Sequence, residues 1–172
     1  KDNSQRGISL GPSVNNTLIN NSVFNCTTVG STEGCFYLMG SNNTIIGGVI
    51  NGSNTNLIYI HDGGSGSNNN LFRDILLGGT TKNYTFLDGG SVNNTFLNIS
   101  YNQSKEYVTP GSQLIRSWYY QANITYNNAG VANANLSAYN RTGIPSGWMF
   151  NLTSNSTGFT NITTIIDYIN TG

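Results

Sequence analysis

Ser41-Asn42-Asn43-Thr44-Ile45-Ile46-Gly47-Gly48-Val49-Ile50-Asn51-Gly52-Ser53-Asn54-Thr55-Asn56-Leu57-Ile58-Tyr59-Ile60 is the stretch that decides the fold. It holds three short apolar runs, Thr44–Ile46, Val49–Ile50 and Leu57–Ile60, parted by Gly, Asn and Ser. The next unit repeats this with Leu71–Phe72, Ile75–Leu77 and Tyr84–Leu87. A further unit has Phe96–Leu97, Ile99–Tyr101 and Tyr107–Val108. The opening motif, Ser and Asn before two apolar residues, stands at Ser13, Ser41, Ser67 and Ser91, with spacings of 28, 26 and 24. A period in the twenties marks one supersecondary unit stacked on its neighbours. Three strands per unit predict a three-sided right-handed parallel β-helix of about four rungs. A helical solenoid would need long Leu/Ala/Glu-rich runs, and a leucine-rich repeat its fixed Leu spacing. Neither occurs.

The asparagines fit such a coil. Asn tolerates the left-handed backbone of a tight corner. Stacked one rung apart, its amides can bond to each other as a ladder. Asn43, Asn69 and Asn94 are the ladder candidates. Gly63-Gly64, Gly78-Gly79 and Gly89-Gly90 mark other corners.

Composition agrees. Asn, Ser, Thr and Gly make up 87 of the 172 residues, and charged residues 8%, with net charge zero. Soluble domains carry about 25% charge. No basic patch is large enough to neutralise a phosphate backbone, so nucleic acid is excluded as a partner. No apolar run reaches the length of a membrane span. Hydrophobics at 37% and aromatics at 11% argue against disorder. The expected class is all-β.

Ala is absent before residue 122 and then recurs, and the repeat fades near Pro110-Gly111. Two domains follow: residues 1–111 as parallel β-helix and residues 112–172 as a small Ig-like β-sandwich. The second has strands expected near 114–126, 131–139, 147–153 and 159–169. Sixty residues is thin for independent stability, so the sandwich is expected to cap the last rung.

Fifteen Asn-x-Ser/Thr sequons begin at Asn15, Asn20, Asn25, Asn42, Asn51, Asn83, Asn93, Asn98, Asn102, Asn123, Asn135, Asn140, Asn151, Asn155 and Asn161. Random order would give about six, so the excess reads as selected glycan acceptors on a secreted surface. Alternation places Asn123, Asn135 and Asn151 on the wet face of their strands. Cys26 and Cys35, nine apart, suggest a disulfide in such a setting; two free thiols or an intermolecular bridge are the alternatives. Two Cys and one His exclude a Cys/His zinc site. The chain opens Lys1-Asp2-Asn3 without an apolar run, so a secretory signal is expected to have been removed or to lie outside it.

On its Ser-Asn-Asn-Thr-Ile-Ile element, the stretch 13–110 resembles the right-handed β-helix repeats of archaeal and bacterial surface proteins. Such repeats recur in surface-layer and exported glycoproteins and in carbohydrate-active enzymes such as pectate lyases. Residues 118–161 resemble the carboxypeptidase-regulatory or transthyretin-like sandwich, on Asn128-Ala129-Gly130-Val131-Ala132-Asn133-Ala134-Asn135-Leu136 and Asn155-Ser156-Thr157-Gly158-Phe159. The resemblances imply architecture and an extracellular setting, not a chemistry.

Ionisable side chains are few. Asp62 and Asp88 each open an Asp-Gly-Gly-Ser corner, 26 apart, and are expected to stack on successive rungs. Such a pair could hold Ca²⁺ or share a proton; the simpler reading is a turn former used twice. Alternation sends His61 and Asp62 to opposite faces, so no dyad is expected. There is no nucleophile elbow and no phosphate loop. Tyr119-Tyr120 beside Trp118 could stack on sugars or fill an interface.

These features predict a structural protein and no enzyme. It would be an extracellular or cell-surface, N-glycosylated subunit that needs no cofactor or metal and assembles with copies of itself into a filament, sheath or surface layer. Unprotected sheet edges template association, zero net charge favours it, and the strand Ile162–Ile169 could complete its own sandwich or be donated to a neighbour. A glycan-binding or adhesive module is the alternative, and a divergent polysaccharide lyase or hydrolase centred on Asp62 and Asp88 a more distant one.

Overall fold

A computed structural model describes residues 6–26, 33–52, 54–80, 82–139 and 148–172. The chain is all-β, with one short 3-10 helix at Gln103–Lys105 among the described residues. It divides into two compact units: residues 1–118 with 166–172, and residues 119–165.

The first unit carries three sheets visited in turn. One has the order β1 (Ile8–Pro12), β4 (Gly34–Met39), β7 (Asn56–Ile60), β10 (Thr85–Leu87), β12 (Glu106–Val108). The second runs β2 (Thr17–Ile19), β5 (Thr44–Ile46), β8 (Leu71–Arg73), β11 (Asn94–Leu97), β13 (Leu114–Tyr120), β18 (Thr163–Asn170). The third is β3 (Val23–Cys26), β6 (Val49–Gly52), β9 (Leu76–Leu77). Among the described residues the pairings from β1 to β13 are all parallel.

Parallel register puts like residues in columns. Leu10, Leu38, Ile60, Leu87 and Val108 form one; Leu18, Ile45, Phe72 and Phe96 form another. Together with Val23, Ile50 and Leu77 they build one cluster drawn from all three sheets, buried except at Leu10 and Leu18, which are partly buried against it. Phe72 meets Phe36 edge-on at 5.5 Å and Phe96 at 5.2 Å. A fully buried side chain of this size contributes about 1.5–3 kcal/mol.

The second column ends on Arg116, opposite Phe96. Arg116 is only 6% exposed. Its guanidinium lies 4.8 Å from the Tyr101 ring, 4.9 Å from Trp118 and 5.7 Å from Tyr168. Glu106 accepts hydrogen bonds from the hydroxyls of Tyr101 and Tyr168 and from the Asn170 amide. The apolar interior is thus closed at its last rung by a cation among aromatic rings.

The asparagine ladder exists, with a corrected membership: Asn16, Asn43, Asn70 and Asn94. Each Nδ2 of the first three donates to the next Oδ1, at 2.9, 3.1 and 2.9 Å. Asn69 is instead a left-handed corner residue (φ 58°), like Asn15, Asn42 and Asn93. The ladder residue stands directly before its strand at Asn16, Asn43 and Asn70 and opens it at Asn94, so the period is set by the strands, at 27, 27 and 24 residues. The serine motif is offset by one in the second unit. There Gly40 donates its N–H to Ser67 Oγ, and Ser67 donates to Ser91 in turn.

Cys26 and Cys35 are joined as a disulfide with Cα atoms 5.6 Å apart. It packs over Gly52, where an added Cβ would lie 2.5 Å from Cys35 Sγ.

The second unit holds two antiparallel pairs, β14 (Thr125–Tyr126) with β15 (Ala129–Gly130) and β16 (Asn135–Tyr139) with β17 (Trp148–Thr153). Among its described residues the buried side chains are the hydroxyl-bearing Ser154 and Thr160. Ser154 bonds Val131 O and Ala134 N; Thr160 accepts from Ala122 N. Leu136, Ala138, Phe150 and Leu152 are half-buried. The terminal strand β18, expected in a sandwich or donated to a neighbour, lies beside β13 in the six-stranded sheet. The turn expected at 143–147 lies outside the described residues.

Candidate functional site

Two features stand out: a polar corner on the five-stranded sheet, and the end strands of the six-stranded one.

The corner is built by register. Leu87 pairs with Ile60, so Asp88 falls opposite His61 rather than Asp62. The motif alignment fails by one residue because the first corner is longer. Ile60 to Ser67 spans seven residues and Leu87 to Ser91 four, yet the serines stack. His61 Nδ1 lies 3.0 Å from Asp88 Oδ1 and 3.9 Å from Asp62 Oδ1. Tyr59 donates its hydroxyl to Asp88 Oδ2 at 2.5 Å, and Asp62 N–H donates to Asp88 Oδ1 at 3.3 Å. His61 and Asp62, expected on opposite faces, approach each other to 3.9 Å, a distance longer than a hydrogen bond. Alternation, however, says nothing about partners one rung away, and Asp88 is that partner. Asp62 Oδ1 accepts from Gly64 N–H, as a turn former does. Gly89 (φ 64°) lets the next rung pass: a Cβ there would lie 2.1 Å from Asp62 Cγ. His61, Asp62 and Asp88 place one ligand atom each within 4.8 Å. All three are partly exposed, and Asp88 is already engaged by three donors. Burial first, and then the Asp88 hydrogen bond, raise the Tyr59 hydroxyl pKa above its ordinary value.

Beside this corner runs an aromatic column. Tyr37, Tyr59, Phe86 and Tyr107 are in register, with successive ring centroids 5.4, 5.0 and 4.7 Å apart. Arg6, paired with Glu33, covers Tyr37 at 3.5 Å. Tyr37 and Tyr59 are buried, whereas Tyr107 on the edge strand is 49% exposed. In the sequence the column is marked by an aromatic directly before the inward aliphatic of four strands, at Tyr37-Leu38, Tyr59-Ile60, Phe86-Leu87 and Tyr107-Val108.

The six-stranded sheet ends on β2 and β18. Ile19 on β2 is 61% exposed; Ile166 and Ile169 on β18 are 52% and 48% exposed. The single charge on β18, Asp167, turns back to Trp118 Nε1 at 3.1 Å and Arg116 Nε at 3.8 Å.

Every described sequon Asn is exposed except Asn83, which is half-buried; Asn140 lies outside the described residues. Asn15, Asn20, Asn42, Asn93 and Asn98 occupy left-handed corners, and Asn25 a left-handed position at the register shift within β3. Asn123, Asn135 and Asn151 are exposed, with Leu136, Phe150 and Leu152 half-buried between their neighbours. Asn102 and Asn155 accept through Oδ1 from the N–H and hydroxyl of the sequon Ser104 and Thr157. No described helix is long and apolar enough to cross a membrane.

Comparison with protein-family models, with curated proteins and with solved structures finds no match to this chain.

Proposed function

We propose that the protein is a structural, non-enzymatic subunit of the cell surface or extracellular space. It would be N-glycosylated at its sequons and assemble with copies of itself into a filament, sheath or surface layer. In this reading the first unit is a three-sided right-handed parallel β-helix and the second a small Ig-like, transthyretin-like sandwich. The observation that carries it is the pair of end strands, β2 and β18, beyond which no described strand pairs on that sheet. Edges are ordinarily blunted by charge, proline or shortness. β18 is eight residues long, contains no proline, and keeps its one charge engaged with Arg116 and Trp118. Two different edges on one sheet suit a head-to-tail contact, and such a contact propagates unless it closes into a ring. Exposed sequon asparagines support the glycan part, and the disulfide an oxidising compartment.

Electron microscopy and sedimentation of the untagged native protein test this. Ordered polymers are expected, with glycan at the exposed sequons by mass spectrometry. Ile166→Lys with Ile169→Lys should abolish the polymers while leaving circular dichroism unchanged. A protein that stays monomeric at every concentration refutes assembly.

A further inference from the structure

The sequons are alike in sequence and unlike in the folded chain. At Asn42-Asn43-Thr44 and Asn93-Asn94-Thr95 the middle residue is a ladder asparagine with no exposed surface. The residues beside it are tied to neighbouring rungs. Asn42 and Thr44 donate their N–H groups to Asn68 O and Asn16 O, and Thr95 donates to Asn70 O. At Asn98-Ile99-Ser100 the middle side chain belongs to the buried core, and Asn98 Nδ2 donates to Asp74 Oδ1 at 2.8 Å.

Asn155-Ser156-Thr157 and Asn102-Gln103-Ser104 differ on each count. All three residues of each are exposed. Asn155 Oδ1 accepts from the Thr157 N–H at 2.9 Å, the Thr157 hydroxyl at 2.7 Å and the Phe159 N–H at 3.1 Å. Asn102 Oδ1 accepts from the Ser104 N–H at 3.0 Å and the Ser104 hydroxyl at 2.9 Å. A carboxamide is planar, so holding Oδ1 inside the turn leaves Nδ2 on its outer side. The hydroxyl that defines each sequon already touches the amide that would receive the sugar. That order is present before any enzyme binds, so little freedom is lost on binding.

We propose that Asn155 and Asn102 are sequons that take an oligosaccharide in the folded protein, whereas Asn42, Asn93 and Asn98 take one only before their rungs close. This order of attachment rests on the glycoprotein reading above. The donor is a lipid-linked oligosaccharide. Nδ2 bonds to the reducing-end C1, and the C1–O bond to the lipid phosphate breaks. The phosphate leaves with the electron pair, and Nδ2 yields one proton to the transferase. Oδ1 takes no part, so the Asn155 turn keeps its three bonds. A transferase must wrap the acceptor into its own site and reach the hydroxyl two residues on. An exposed turn permits this. A ladder sequon cannot be drawn out without opening its rung.

Transfer to the whole, folded, unglycosylated chain by a purified single-subunit oligosaccharyltransferase tests it, with occupancy read at each sequon by peptide mass spectrometry. Asn155 and Asn102 should be occupied at least about tenfold more than Asn42, Asn93 and Asn98, whose modification waits on local opening. When the same chain is translated into membranes that carry the transferase, the difference should vanish. Asn70→Ala, which breaks the ladder beside Asn42 and Asn93, should raise occupancy at those two in the purified chain and leave Asn155 unchanged. Equal occupancy of Asn42 and Asn155 in the folded chain overturns the proposal, as does a folded chain bare at both Asn155 and Asn102. Glycan on the native protein would then leave the glycoprotein reading standing. Native protein bare at every sequon overturns both.

Discussion

Asn70→Ala tests the ladder that holds the rungs in register. Asn70 is buried and makes four side-chain bonds. It accepts from the Asn43 backbone N–H at 2.9 Å and Nδ2 at 3.1 Å, and donates to Asn94 Oδ1 and to Gly40 O, both at 2.9 Å. Truncation leaves the Asn43 N–H buried without an acceptor, which costs about 1–3 kcal/mol. Asn43 Nδ2 keeps Ser13 O and Ser41 O, and Asn94 Oδ1 keeps the Asn70 backbone N–H. The three remaining lost bonds therefore count at about 0.5–1.5 kcal/mol each, for a total of about 2.5–7.5 kcal/mol. Asn16→Ala, at the half-exposed end of the same ladder, orphans nothing, because Asn43 Oδ1 still accepts from the Asn16 backbone N–H. It should cost about 0.5–1 kcal/mol. Urea unfolding followed by circular dichroism measures both. Asn70→Asp adds a sign: the new carboxyl can accept from Asn43 but donates, to one of Asn94 and Gly40, only when protonated. Its folded pKa lies above the unfolded one, so the folded state binds the extra proton. Stability is then retained at low pH and falls as pH rises from about 4 through the folded value. Equal losses for Asn70→Ala and Asn16→Ala, or an Asn70→Asp protein insensitive to pH, would refute the reasoning.

Three further outcomes are expected. Reducing the Cys26–Cys35 bridge should lower stability by about 2.5 kcal/mol for so short a loop, read as a shift in urea midpoint with and without reductant; Gly52→Ala should destabilise in the oxidised protein, where the new methyl strikes Cys35 Sγ. Arg116→Met should leave the unfolding midpoint unchanged or raise it, since a hydrophobe of similar volume avoids burying a charge, whereas Arg116→Ala should lose about 2–4 kcal/mol to the void. Burial, with Asp88 and Glu106 accepting their protons, raises the pKa of Tyr59 and Tyr101. Their contribution is complete below pH of about 10 and falls above it by about 1.4 kcal/mol per pH unit for each, so Tyr59→Phe should flatten the alkaline unfolding curve.

What could be read from the residues depends on the range of the interaction. Three apolar runs per unit, with Asn and Gly between them, announce short strands and corners, because strand and turn propensities are local. The pairing partner is a different matter. Ser41 and Ser67 look equivalent in the motif, yet the structure sets Gly40 against Ser67. The apolar columns must stay in register or every side chain changes face, so corners absorb the odd residue. That rule moves the ladder from Asn69 to Asn70 and sets Asp88 opposite His61. A motif alignment follows the corner; the fold follows the strand. The His61–Asp88 contact was legible once Ile60 and Leu87 were aligned by their apolar runs instead of by Asp-Gly-Gly-Ser. Arg116 was not legible, because its column shows only that an inward position is occupied. What makes a cation tolerable there is a set of rings from residues 101, 118 and 168, far apart in the chain. The same holds for Asp167. The sequence shows it only as the one charge in the run Ile162–Ile169, while in the structure it faces Arg116 and Trp118.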